Sequence, residues 1–539
     1  MWNPLRESSG IVCEREKIMK KNSTFRLREK FHQAKWDEPV IFEMHTPGER
    51  GVLIPEVEQE IQEAVGDGIS SIPENMRRKS KPALPEVSQM RVLKHFLRLS
   101  QHTLGADFNI DIGQGTCTMK YSPKINESFV RSPKAAAIHP CQDEDTVQGA
   151  LEVMYKLGTF LQEISGMDKF TFQPGGGAAA ILVMVSIIQK YHELRGEGQE
   201  RDEIITTIFS HPSDAAAAAV KGYKVITLYP DEYGLPDIAA LKKAVSERTA
   251  GLLITNPEDT GIFNNKIQEF TKIVHNAGGL CGYDQANANG LLGITRAREA
   301  DFDMCFFNLH KSFSSPHGCG GPATGALGVR EKFIDYMPMP LVEFDGKKYS
   351  LNHNLPHSIG KVRGYYGVFP AVLRAYAWIM SLGAEGLREV AEVAVLNNNY
   401  VMKKIQELKG AAISYPKTPG RIEQVRYTWE KLTEDTGVST EDITNRLVDF
   451  GFHLWSSHHP WVVPQPFSIE PTESYSKAEL DEYLAGLEKT VNEAYEDPDK
   501  VKNAPYQSVV HKIDHHPLDD PEKWAVTWRA YLKKQKKGE

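Results

Sequence analysis

The feature that most constrains the fold is an alternation running from about residue 140 to 330. Short β-rich runs at 204–209, 224–228, 251–255 and 280–283 are separated by helix-like segments such as 237–245 and 266–277. In the second of these, Ile267, Phe270, Ile273, Val274 and Ala277 fall on one face, which is the helical period. Repeated strand–helix alternation predicts an α/β domain built on a largely parallel sheet covered on both sides. Ligands of such sheets gather at the carboxyl ends of the strands. His211, Asn256, Asp284 and Lys311 all fall at those ends.

The chemistry of these residues narrows the site. The stretch 308–322 reads Asn-Leu-His-Lys-Ser-Phe-Ser-Ser-Pro-His-Gly-Cys-Gly-Gly-Pro and follows the apolar run Met304-Cys-Phe-Phe. Burial at a strand end favours the neutral amine of a lysine, the form a Schiff base requires. A lone lysine there more often snorkels out of the sheet edge, but Lys311 has company. Asp284 closes another apolar run about 27 residues upstream. Pyridoxal phosphate needs a carboxylate against its ring nitrogen, so that the ring can accept electrons. Further upstream, Phe170-Thr-Phe-Gln-Pro-Gly-Gly-Gly-Ala-Ala-Ala opens a helix from a short strand. Backbone N–H groups at Gly176, Gly177 and Ala178 would there point at a phosphate. The run is no dinucleotide fingerprint, since no acidic residue follows at the expected distance. In this order the three pieces make a coenzyme site.

Bulk properties exclude other classes. With 539 residues, 41% hydrophobic and 25% charged, the chain is expected to form two or more domains sharing a large core. A net charge of −8 offers no basic footprint for nucleic acid. Six scattered cysteines without a C-x-x-C pair fit a reducing cytoplasm. The start of the chain lacks the apolar core of a signal peptide, and the longest uncharged apolar stretch, 178–188, is too short to span a bilayer. His310 and His317 flank the lysine, and His458/His459 and His515/His516 form pairs, yet none has the spacing of a metal-ligand set, so no metal is expected.

The expected organisation is an appendage over 1–38, an arm over 39–139, a large coenzyme domain over 140–335, a smaller α+β domain over 336–500 and a tail over 501–539. The arm mixes short apolar pieces with Pro and Gly, as suits a segment wrapping a neighbouring domain or subunit. In the smaller domain, 371–380 and 387–395 read as helices, 424–428 as a strand, 442–450 as a helix, and a last helix starts at Lys477.

Landmarks along residues 39–520 resemble the P-protein of the glycine cleavage system, specifically the C-terminal half that many bacteria make as a separate subunit. They include Ile41-Phe-Glu, Thr116-Cys-Thr-Met-Lys-Tyr, Gly166-Met-Asp, Thr255-Asn-Pro, Asp284-Gln-Ala-Asn-Ala-Asn, Asn308-Leu-His-Lys, Pro316-His-Gly-Cys-Gly-Gly-Pro, Ser358-Ile-Gly, Arg374-Ala-Tyr and Ile469-Glu-Pro-Thr-Glu-Ser. The resemblance implies a fold-type-I pyridoxal 5'-phosphate enzyme, similar to aspartate aminotransferase, that decarboxylates glycine. It implies transfer of the aminomethyl group to the lipoyl arm of H-protein, and a subunit 1 as partner in an α2β2 assembly. By position it makes Lys311 the coenzyme lysine, Asp284 the ring-nitrogen partner, His211 the residue stacked on the ring and Asn256 the holder of the ring hydroxyl. It also puts His310 at the phosphate or an acid–base step, although an adjacent histidine could equally turn away to pack.

The chain departs from the family pattern where Ala179 replaces a polar residue and Ile181 a carboxylate in the glycine-rich turn. In the histidine motif Ser213 can still donate as a threonine would, while Asp214 is expected to add a negative charge where an amide stood. Gln285 and Val368 depart as well. These substitutions leave two alternatives open, a paralogue acting on another amino acid and a non-catalytic partner subunit. Retention of Lys311, Asp284 and His211 speaks against the second.

Overall fold

The computed structural model describes residues 27–29, 31, 38–52, 54–80, 82–102, 110, 112, 120–317, 321–452, 462–509, 512 and 527–537. The chain divides into two compact units, Met1–Glu29 with Gly105–Ala504, and Lys30–Leu104 with Pro505–Glu539.

In the first unit seven strands share one sheet: β1 (Lys169–Thr171), β2 (Glu203–Thr207), β3 (Lys224–Leu228), β4 (Thr249–Thr255), β5 (Leu280–Asp284), β6 (Met304–Asn308) and β7 (Gly325–Val329). Their order is β1-β7-β6-β5-β4-β2-β3. Neighbours from β2 to β6 are parallel, and β7 runs antiparallel to both β1 and β6. Every residue of β5, β6 and β7 is buried, as expected of strands covered on both faces. Five helices follow the expected alternation: α1 (Gln148–Ser165), α2 (Gly177–Leu194), α3 (Pro212–Val220), α4 (Ile238–Ala244) and α5 (Ile267–Asn276). On α5, Ile267, Phe270 and Val274 turn inward, so the period read from the sequence marks the packed face. The long α2 is apolar nearly all round and buries Ile181, Met184 and Ile188 among others against the sheet.

The C-terminal part adds a hairpin, β8 (Leu341–Phe344) with β9 (Tyr349–Asn352), and a three-stranded antiparallel sheet, β10 (Ala412–Ile413), β11 (Val425–Thr428) and β12 (Pro466–Ile469). Helices α6 (Phe369–Ile405), α7 (Thr440–Val448) and α8 (Lys477–Glu496) accompany it, over a second core containing Tyr427, Trp429, Phe467 and Tyr483. The two helices expected at 371–380 and 387–395 are halves of α6. They are separated by Gly383, whose φ of 67° breaks the helical path.

Of the segment 39–139, residues from 105 onward group with the large unit. The cause is local: helix Lys124–Arg131 packs on α6, and Arg374 forks onto Glu127 at 2.6 and 2.9 Å. In the second unit the rings of Phe42 and Trp528 stack at 5.0 Å, and His95 bonds Glu38 at 2.8 Å. The same unit leaves Val52, Ile54, Val65, Met90, Leu93 and Phe96 more than half exposed. Residues 116–119 and 318–320 of the landmark motifs, Cys13, Cys117, Cys319 and the pairs His458/His459 and His515/His516 lie outside the described residues. No helix among the described residues is long and apolar enough to cross a membrane.

Candidate active site

The parallel strands end together. Thr255 pairs with Asp284 and Asp284 with Phe306 across β4, β5 and β6, so the segments leaving those strands emerge side by side. One cavity at this edge is lined by His211, Asp284, Asn287 and Lys311, and by Glu423 and Gln424 from just before β11. Three of the residues singled out in the sequence therefore meet around one space.

Lys311 is 7% exposed and follows a turn closed by its own N–H on the Asn308 carbonyl, 3.0 Å away. The turn is pinned from two sides. Ser312 Oγ accepts from the Ala288 N–H at 2.7 Å, and Ser315 Oγ donates to the Ala371 carbonyl at 2.7 Å. Asp284 is buried, and its Oδ1 accepts from the Ala286 N–H at 2.9 Å. Burial pushes its pKa up to about 6, while the Ala286 bond and the Lys311 charge pull the other way.

His211 caps α3. Its Nδ1 accepts from the Ser213 N–H at 3.1 Å and lies 2.6 Å from Ser213 Oγ. Two donors at Nδ1 place the ring proton on Nε2. Ser213, able to donate as a threonine would, turns its hydroxyl to this ring. Asn256 bonds within its own loop: its Oδ1 accepts from the Asn264 N–H at 2.8 Å and its Nδ2 donates to the Asn264 carbonyl at 3.2 Å. The loop after β4 thus uses both ends of the amide, and Asn256 is not among the residues lining the cavity. His310 is buried next to the lysine. Its ring lies 4.2 Å from that of His317, and burial, followed by the Lys311 and His317 charges, lowers its pKa to about 3.

The glycine-rich turn is where the sequence put it, at the start of α2. A Cβ on Gly177 would come within 2.9 Å of Asn308 Nδ2, so only glycine lets the helix start dock on the end of β6. Ala178, one residue further, is exposed. Beside Gly175, the Arg363 Nη1 atom is buried without an acceptor among the described residues, and a Cβ on that glycine would stand 3.7 Å from it. An unmatched guanidinium N–H next to the N–H groups of a helix start fits the phosphate of pyridoxal phosphate. The buried Asp284 fits the ring nitrogen, and so the residues present suit the coenzyme at both ends.

Other groups near the cavity were not singled out as site residues. Glu470 follows β12, and its Oε1 accepts from Asn287 and, at 2.6 Å, from Asn289, while its Oε2 is buried without a partner. Burial raises its pKa to about 8, against the two amides and the charges of Lys311 and Lys120. Lys120 is fully buried, 3.2 Å from Glu473 and 4.8 Å from the Trp378 ring. The available signal was the Asn-x-Asn run directly after Asp284, which predicts amides looking for a buried acceptor.

The departures fall in different places. Ile181 is 1% exposed within the sheet core and Ala179 lies on the same helix, so neither lines the cavity. Gln285 is buried beside Tyr283, and Val368 caps α6. Asp214, expected to add a charge, is fully buried with both carboxylate oxygens unpartnered. Burial, and then the neighbouring Asp284, raise its pKa well above the carboxylate range.

One group of potential metal ligands, His275, Cys281 and Asp303, lies at the opposite ends of β5 and β6. Asp303 there already accepts from His275 at 2.7 Å and from the Cys281 N–H at 2.8 Å, and pairs with Lys332 at 3.0 Å.

Known proteins are similar to this chain over most of its length. Residues 163–358 match the aminotransferase class-V family, and residues 390–515 match the glycine dehydrogenase C-terminal domain. A protein of Pyrococcus furiosus called probable glycine dehydrogenase (decarboxylating) subunit 2 is 46% identical over 511 residues, covering 94% of this chain and 99% of that protein. Its namesake from Staphylothermus marinus is 39% identical over 515 residues, covering 94% and 98%. Among solved structures, an inhibitor-bound glycine decarboxylase (P-protein) of the glycine cleavage system aligns with a TM-score of 0.67 at 20% identity, covering 81% of this chain and all of that one. A NifS-like protein aligns with a TM-score of 0.55 at 17% identity, covering 71% of this chain and all of that one. The two structures share its fold.

Proposed function

The chain belongs to the family of glycine dehydrogenase (decarboxylating) subunit 2, and from that premise we propose how its own residues serve the reaction. The activity is that of a pyridoxal-phosphate-dependent glycine dehydrogenase in the glycine cleavage system. When bound, the coenzyme supplies a protonated ring that takes up the electron pair left as CO2 departs from glycine.

Lys311 holds the coenzyme through Nζ and receives a proton there when glycine takes its place. Asp284, as the carboxylate, holds the proton on the ring nitrogen. His211 covers the ring and presents Nε2–H. The N–H groups of Gly176 and Gly177 and the guanidinium of Arg363 hold the phosphate. Asn287, fixed by Glu470, lies on the substrate side. His310, neutral because burial lowers its pKa to about 3, stands next to Lys311 as an uncharged imidazole.

We assign the aminomethyl acceptor as the lipoyl disulfide of H-protein and the assembly as α2β2 with a subunit 1, located in the cytoplasm. The name of the relatives supports a second subunit. The exposed apolar residues of the second unit support a covering partner.

The observation that carries the reading is the meeting of His211, Asp284 and Lys311 around one cavity. Borohydride reduction of the coenzyme-loaded protein should fix the coenzyme on the peptide containing Lys311, and Lys311→Ala should lose both the visible absorbance band and the adduct. An adduct of equal yield in the variant would remove Lys311 from the mechanism.

A further inference from the structure

Asp214 lies on the first turn of α3, three residues after His211, fully buried. Neither carboxylate oxygen has a hydrogen-bond partner among the described residues. The start of a helix favours an anion, but the nearby N–H groups are engaged elsewhere. The Ser213 N–H goes to His211 Nδ1 at 3.1 Å, and the Asp214 N–H goes to the His211 carbonyl at 2.9 Å. Among the described residues, the charged group acting on Asp214 is Asp284, of like sign. No charged group of α2, β2 or β3, the elements packed against α3, acts on it, and Lys311 acts on Asp284 instead. An ionised carboxylate with no donor, no cation and a second carboxylate nearby is the least favourable state of such a group, and it takes up a proton instead.

We propose that Asp214 is a positioning residue, an uncharged carboxylic acid near Asp284 that leaves Asp284 as the single anion facing the ring nitrogen. This rests on the assignment of Asp284 as the ring-nitrogen partner. It also explains how a departure that reads as an added charge is compatible with the electron sink. Ionised, Asp214 would repel Asp284 and hold it protonated to higher pH. Uncharged, it leaves that equilibrium to burial and Lys311.

The test uses the full chain without coenzyme, so it does not depend on whether the site assignment holds. Folding keeps a proton on Asp214 that the unfolded chain releases above about pH 4. Urea unfolding of the wild type and of Asp214→Asn between pH 5 and 8 should therefore diverge. The wild-type unfolding constant should rise relative to the variant by close to tenfold per pH unit. Asp214→Ser, which changes the packing differently, should give the same slope with another offset. In infrared difference spectra, Asp214→Asn should lose a protonated-carboxyl band that persists at pH 8 in the wild type. It should leave the midpoint of the band that Asp284→Asn removes unmoved. A flat ratio with pH, no such band, or an Asp284 midpoint lowered by about one unit in Asp214→Asn would each overturn the proposal.

Discussion

Asp284 decides the ionic state of the site. Its carboxyl titrates at about 6 in the coenzyme-free chain because burial outweighs the Ala286 bond and the Lys311 charge. A protonated ring pairs with the carboxylate form, so coenzyme affinity should fall as pH drops through 6, approaching tenfold per unit well below it. Asp284→Asn should remove that part of the pH dependence, measurable by titrating both proteins with coenzyme between pH 5 and 8. The same variant should lose about 3–4 kcal/mol of transition-state stabilisation, a rate loss of roughly a hundredfold or more. Turnover near that of the wild type would give the ring nitrogen another partner.

Among the elements, the start of α2 and the α7–α8 pair make separate demands. If Arg363 and the glycine-rich turn hold the phosphate, Arg363→Ala should weaken pyridoxal phosphate by tenfold or more and leave pyridoxal, which lacks the phosphate, unaffected. Calorimetric titration with both compounds separates the two. An equal loss for both would place Arg363 in the framework instead. Elsewhere, Arg446 of α7 forks onto Glu493 of α8 at 2.7 and 3.2 Å and bonds Asp449 at 2.7 Å, all three being buried. Removing Arg446 withdraws a shared cation from two buried carboxylates, of which Glu493 keeps Lys500 at 2.7 Å. Arg446→Ala should therefore cost about 3 kcal/mol in urea unfolding, with coenzyme affinity unchanged, because the group is part of the small domain's frame.

On the scale of the whole molecule, the strand–helix alternation made the large sheet legible, since burial on both faces imposes continuous apolar strands and periodic helices. The same logic brought His211, Asp284 and Lys311 to one edge. What stayed hidden depended on side chains choosing among nearby partners. Asn256 bonds within its own loop, and Ser213 bonds His211; either amide or hydroxyl could have faced a ligand equally well on paper. Glu470 and Glu423 reach the cavity region from nearly two hundred and more than one hundred residues away in sequence, a proximity no local period encodes. The formal charge of Asp214 is written in the sequence, while its complete burial is not. The fork between Arg374 and Glu127, which ties a segment after residue 105 to the large unit, is likewise a pairing that no local period encodes.

The central claim is that these residues decarboxylate glycine, and exchange of the glycine carboxyl with labelled bicarbonate tests it most directly. The protein combined with a subunit 1 and lipoylated H-protein should exchange label with glycine, and should lose the exchange in Lys311→Ala. The account is contradicted if glycine neither exchanges label nor perturbs the absorbance of the bound coenzyme, while larger apolar amino acids do perturb it.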